Sequence, residues 1–144
     1  MSLALVGNLL GLALTDAIAA PEGYTDRSAT TNKMKITIGS KTFTATLRDN
    51  RTVAALQAML PLTLEMKELN GNEKYFHLVK DLPAHAANPG TIQAGDLMLY
   101  ESNSLVLFYK TFATSYSYTA LGRIDDPAGL AAAAGSGDVK MQFE

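Results

Sequence analysis

Beyond residue 33 the chain alternates apolar and polar side chains in short runs. Ile36 and Ile38 alternate with Lys35 and Thr37, and Phe43, Ala45 and Leu47 with Thr44 and Thr46. A period of two sends successive side chains to opposite faces, so both runs predict half-buried strands joined by a hairpin at Gly39-Ser40-Lys41. The period then changes. Val53, Leu56 and Leu60 recur at helical spacing, Asn50 fits an N-cap and Pro61 lacks the N–H that continuation needs, which predicts a short helix over Arg51–Leu60 plugging one end of the fold. Leu62, Leu64, Met66 and Glu68 resume the strand pattern. Asn70-Gly71 supplies the positive φ angles of a tight turn, and Glu73–Val79 forms the return strand.

Asp81–Thr91 carries two prolines and Gly90 and reads as a long loop, the first place to look for recognition. Gly95–Tyr100 and Ser104–Tyr109 are strands joined by Glu101-Ser102-Asn103, and the second is apolar on both faces, as a fully covered strand must be. Thr111–Thr119 mixes Phe112, Tyr116 and Tyr118 with small hydroxyl residues, which predicts an irregular segment bordering a cleft. Thr119–Ile124 reads as a further strand. Asp126 as N-cap, Pro127 at the first helical position and alanines ending at Gly135 predict a second short helix, and Val139, Met141 and Phe143 alternate in a last strand. About eight strands and two short helices, the last strand matching the first in its apolar face, predict a mainly β fold closed into a barrel. Closure removes the exposed edges of a sheet.

A chain of 144 residues with 47% hydrophobic content supports one core and is too short for two ordinary domains. Twelve basic and fourteen acidic residues nearly cancel without a Lys/Arg cluster, which argues against nucleic acid or an anionic lipid surface as partner. The lack of cysteine excludes disulfides, thiolate metal sites and a cysteine nucleophile. Leu3–Leu14 is apolar apart from Asn8, and Ala17-Ile18-Ala19 has the small-x-small pattern of a signal-peptidase site. Residues 1–20 are therefore expected to be a signal-peptide remnant, and the protein extracytoplasmic, periplasmic or secreted. The apolar stretch is too short for a permanent membrane anchor. Residues 21–33, polar and rich in turn formers, are expected to be a flexible linker to a barrel domain at 34–144.

Several residues, taken in order, resemble a known family: Glu73 with Tyr75-Phe76, Asn88-Pro89, Gly95-Asp96 with Tyr100, Leu105 with Leu107-Phe108-Tyr109 and Thr111, then Gly122-Arg123-Ile124. Their order and spacing resemble the bacterial cyclophilin-like family over essentially all of Met34–Glu144. The resemblance implies an eight-stranded barrel capped by two helices and leaves the biochemical role open. Cyclophilins proper are peptidyl-prolyl isomerases, and Phe76-His77-Leu78-Val79-Lys80 and Gln93-Ala94-Gly95-Asp96 echo the two halves of their signature. Leu78 stands where the isomerase carries the arginine that stabilises the twisted amide, the gap between the halves is longer, and the chain has no tryptophan. Phe76, Gln93 and Arg123 are the catalytic candidates if an isomerase activity persists.

Glu73, Tyr75 and His77 share one face of a strand, which would gather a carboxylate, a phenol and an imidazole in a cleft as an acid/base cluster. The blander arrangement, which the sequence favours, packs Tyr75 inside the barrel and leaves Glu73 and His77 in water at its mouth. His77 and His85 have no partners at metal-ligand spacing, so no metal is expected, and without a phosphate-binding glycine loop or a dinucleotide fingerprint no cofactor is expected either. Arg123 would either lean into the cleft to clamp an anion or pair with Asp96, Asp125 or Asp126, the pairing being favoured. Asp96 would satisfy backbone N–H groups at a bulge. Tyr116 and Tyr118 lie in a segment too polar for an interior. The expected function is binding without catalysis, a small ligand or an extended peptide being held by Tyr75, His77, Tyr100, Phe112, Tyr116, Tyr118 and Arg123. The alternatives are a degenerate isomerase and a module that docks an envelope protein through Asp81–Thr91.

Overall fold

The computed structural model describes residues 32–144. The expected leader and nearly all of the expected linker lie outside the described residues; Lys33 already opens the first strand. Ten strands and two helices follow: β1 (Lys33–Ile38), β2 (Lys41–Leu47), α1 (Arg51–Gln57), β3 (Leu62–Leu69), β4 (Glu73–His77), β5 (Thr91–Ile92), β6 (Asp96–Tyr100), β7 (Ser104–Phe108), β8 (Phe112–Ala113), β9 (Thr119–Ile124), α2 (Leu130–Ala134) and β10 (Val139–Phe143).

Eight strands close a barrel in the order β1-β10-β3-β4-β7-β6-β9-β2, each antiparallel to its neighbours. Alternation explains which side chains fill it. Met34, Ile36 and Ile38 of β1, Phe43, Ala45 and Leu47 of β2, and Met141 and Phe143 of β10 point into one apolar interior with Leu97, Leu99, Leu105 and Leu107. Gly122 lets β9 lie against β2, because a Cβ there would collide with the Thr46 carbonyl oxygen. A one-residue register shift at Leu97/Met98 separates β9 from a regular ladder with β6.

Both helices contribute to this interior, α1 through Val53 and Leu56, α2 through Leu130 and Ala134. Asn50 caps α1 as expected, its side chain accepting from the Val53 N–H at 2.8 Å. The helix is shorter than the apolar spacing predicts: it ends at Gln57, and Met59 and Leu60 continue in a turn. Asp126 does not cap α2. Its carboxylate accepts from the Ala128 N–H at 3.1 Å and fixes a turn over Pro127 that precedes the helix, whose N-cap is Gly129 in the left-handed region.

The remaining strands lie outside the barrel. β5 and β8 pair into a two-stranded sheet too short to show any period in the sequence. The loop before β5 is fastened beside it: the Ala87 and Tyr118 backbones bond to each other, the His85 N–H donates to Thr119 Oγ1 at 2.8 Å, and Thr114 N–H donates to the Gly90 carbonyl at 2.9 Å. This added layer covers the outer face of β6 and β7. Ile92, Met98, Val106, Phe108 and Tyr118 form a second apolar cluster there, with Tyr75, Tyr100 and Phe112 at its margin. Ser104–Phe108 is consequently buried on both faces, one by the barrel interior and one by this outer cluster.

Candidate functional site

Strand β4 sorts its side chains between these two environments. Lys74 and Phe76 turn inward, while Glu73, Tyr75 and His77 turn outward beside the second cluster. Opposite them on β7 stand Phe108, Val106 and Ser104. The outer residues line a cleft of about 540 Å³, closed on its far side by Tyr100 and by Phe112, Thr114, Tyr116 and Tyr118 of the segment that starts at β8. The favoured arrangement of the sequence reading is thus corrected. Tyr75 is outside the barrel, since it shares the parity of Glu73 rather than that of Phe76.

The rings of the cleft form a connected set. Tyr100 meets Tyr116 edge-on at 6.2 Å between centroids and Tyr118 at 5.6 Å; Phe108 meets Tyr118 at 5.5 Å and Phe112 at 5.6 Å. Edge-on and tilted contacts of this kind fix ring orientation as well as burying area. Tyr116 is exposed, as its polar surroundings predict, but Tyr118 is 6% exposed. Its neighbours in sequence are polar, yet the pairing with Ala87 places it beneath the added layer. Burial pushes its phenol above the ordinary value.

Glu73 lies at the buried side of the cleft, 9% exposed. Among the described residues its carboxylate makes no hydrogen bond and no ion pair. Burial first, and then repulsion from Glu68, push its carboxyl up to about 7 from 4.5. Beside it Asn72 also borders the cleft and keeps a buried side-chain oxygen, Oδ1, without a donor. His77 is held by Ser104, Nδ1 to Oγ at 2.8 Å, and meets the Tyr75 ring edge-on at 5.3 Å. Glu73, Tyr75 and His77 therefore share the cleft without a hydrogen bond between them, and no proton relay joins them.

Lys74, unmarked by the sequence reading, is fully buried in the barrel. Its ammonium donates to Glu68 Oε1 at 2.9 Å, to the Gly135 carbonyl at 2.8 Å and to the Gly137 carbonyl, and stands 5.2 Å from the centre of the Tyr109 ring. Tyr109 donates to the same Glu68 oxygen at 2.6 Å. Burial alone would raise Glu68, but the bonds from Tyr109, Lys74 and the Gly71 N–H hold its pKa below the ordinary value. Burial and the Glu68 bond push Tyr109 up to about 12. The partners of Lys74 thus come from β3 across the hairpin, from the residue after β7 and from the turn after α2.

Arg123 takes the ion-pair arrangement. Its Nε lies 2.6 Å from Asp96 Oδ1, directly across the β6–β9 ladder, and it does not line the aromatic cleft. The other Asp96 oxygen accepts from the Gln93 N–H at 2.8 Å, so this buried carboxylate serves both suggested roles. The isomerase candidates are not gathered in one cavity. Phe76 packs against the barrel interior, Gln93 is exposed, and Leu78 is a core residue at 4% exposure. No group of three or more metal-ligating side chains assembles among the described residues, and no helix among them is long and apolar enough to cross a membrane.

The model of the Cyclophilin-like family matches residues 36–144, the whole of the barrel except the start of β1. No curated protein matches the chain. Among solved structures, the chain is similar to the solution structure of a hypothetical protein from Archaeoglobus fulgidus, with a TM-score of 0.53 and 17% sequence identity, over 78% of this chain and 92% of that one. At that identity the likeness concerns the fold.

Proposed function

We propose a binding role without catalysis, starting from the fact that this chain belongs to the cyclophilin-like family. A fold of this kind does not carry an activity with it, so the reading rests on the site. The observation that supports it is the cleft on the outer face of β4 and β7, about 540 Å³ and lined by Tyr75, Tyr100, Phe112 and Tyr116 over a buried carboxylate. Ligand sites of small molecules fall in a range of roughly 300–1,000 Å³, with apolar walls and few polar groups. A small ligand with a flat apolar portion matches these walls. Arg123 does not line this cleft, its Nε being held by Asp96.

The test is a fragment screen by amide and aromatic NMR on the intact chain, paired with a protease-coupled proline isomerisation assay. Binding predicts fragment-induced shifts clustered on Tyr75, Tyr100, Tyr116 and their neighbours, with no isomerisation. Isomerase turnover that is lost on replacing Phe76, Gln93 or Arg123 would replace this reading with the catalytic one.

A further inference from the structure

The sign of charge that the cleft accepts follows from three features of its walls. No lysine or arginine lines it; its one carboxylate is Glu73, and four tyrosines and Phe112 stand among the other lining residues. Ring faces carry negative electrostatic potential and attract cations. Glu73 is also a largely buried carboxylate with no donor from the protein among the described residues, its oxygens keeping contact with the open cleft, and a carboxylate in that condition is costly to keep. Asn72 Oδ1 beside it is a second acceptor without a donor. Both deficits have the same sign: each is an acceptor at which no protein donor is aimed.

We propose that the cleft binds an organic ammonium ion, its N–H groups donating to the Glu73 carboxylate and its apolar body lying against Tyr75, Tyr100 and Tyr116. This rests on the binding role proposed above and names the ligand class for it. An anion would face Glu73 with no cation to offset it. A neutral ligand could at most donate a hydrogen bond and would leave the charge without an opposite one. An ammonium ion supplies both the missing charge and the missing donors, and a hydrogen bond between two ionised groups is roughly twice as strong as one between neutral groups. The cleft is half-open, so the cation enters from solvent past exposed Tyr116.

Protonation of Glu73 should govern this binding. The titratable groups around it are Glu68 on β3, which repels it, the phenols of Tyr109 after β7 and of Tyr75, Tyr100, Tyr116 and Tyr118 in the cleft, and His77 further along its own face of β4. Lys74 points the other way and is committed to Glu68. The carboxyl is neutral well below its raised pKa and charged above it, so the affinity for a cation rises with pH.

Three probes that share a benzyl or phenyl ring and differ in head charge make the test: benzylammonium, benzyl alcohol and benzoate, titrated into the intact chain and followed by NMR. Benzylammonium is expected to shift the cleft resonances with an affinity about tenfold above that of benzyl alcohol, and benzoate to bind weakest. Lowering the pH from about 8 to about 6 should weaken benzylammonium and leave benzyl alcohol unchanged. Glu73→Gln should bring benzylammonium down to the level of the alcohol. Equal binding of benzylammonium and benzyl alcohol in the cleft, or a preference for benzoate, would overturn the cation assignment and leave the binding role standing. Shifts in the cleft from none of the probes would overturn both.

Discussion

Strand β4 has a charged residue buried on each of its two sides, and the two are treated differently. On the inner side Lys74, wholly buried, donates to Glu68 and to two backbone carbonyls and lies near the Tyr109 ring. On the outer side Glu73, nearly as buried, has no donor among the described residues and is repelled by Glu68. Removing an ion from water is costly on either face. Inside the barrel the fold itself meets that cost by supplying partners, and the ammonium in turn ties the α2–β10 connection to β3 and β4. In the cleft the cost is left standing. A buried charge with full partners is a structural fastening; one without them marks where the molecule departs from self-sufficiency, as binding sites do.

The contrast gives opposite signs for two substitutions. Lys74→Met should have the larger effect, lowering stability by roughly 3 kcal/mol in urea unfolding, because it leaves the carbonyls of Gly135 and Gly137 and the Glu68 carboxylate short of a donor. A loss under about 1 kcal/mol would mean that these groups regain water easily and that the inner face is not the better satisfied one.

Glu73→Gln should act the other way and depend on pH. The carboxyl pKa is raised from 4.5 to about 7, so the folded protein binds more protons than the unfolded chain between those values. Stability therefore falls as pH rises through that window and stays low above it, by about 1–2 kcal/mol once solvent screening of the carboxylate is discounted. The variant should lack this fall and be the more stable protein at about pH 8 by up to the same amount. Parallel unfolding curves for the two proteins across the window would erase the difference between the faces.

Alternation made the barrel legible, since each strand displays its inner set in the sequence and closure leaves that set one place to go. The cleft was legible in its parts. The parity of Glu73, Tyr75 and His77 put them on one face, and the irregular segment with Tyr116 was placed at its border. What alternation does not show is which face of β4 meets the barrel. Glu73 and Lys74 are adjacent charges, which suggests solvent on both sides, and the partners that bury Lys74 come from β3, the end of β7 and the turn after α2. A signal did exist: Glu68 already lay on the inner alternation of β3, and the hairpin through Asn70–Asn72 sets it against Lys74. The burial of Tyr118 was hidden for a related reason. It depends on β5 and β8, two residues each, and on one bridge to Ala87. Arg123 had three acidic candidates nearby, and the β6–β9 register alone selects Asp96.

The central claim is that Glu73 is buried in the aromatic cleft without a partner, and its own titration tests this most directly. Following the side-chain carboxyl carbon of Glu73 by NMR in the ligand-free protein should give a midpoint of about 7. A midpoint at the ordinary 4.5 would show a solvated or partnered carboxylate, and the contrast between the two faces of β4 would fail with it.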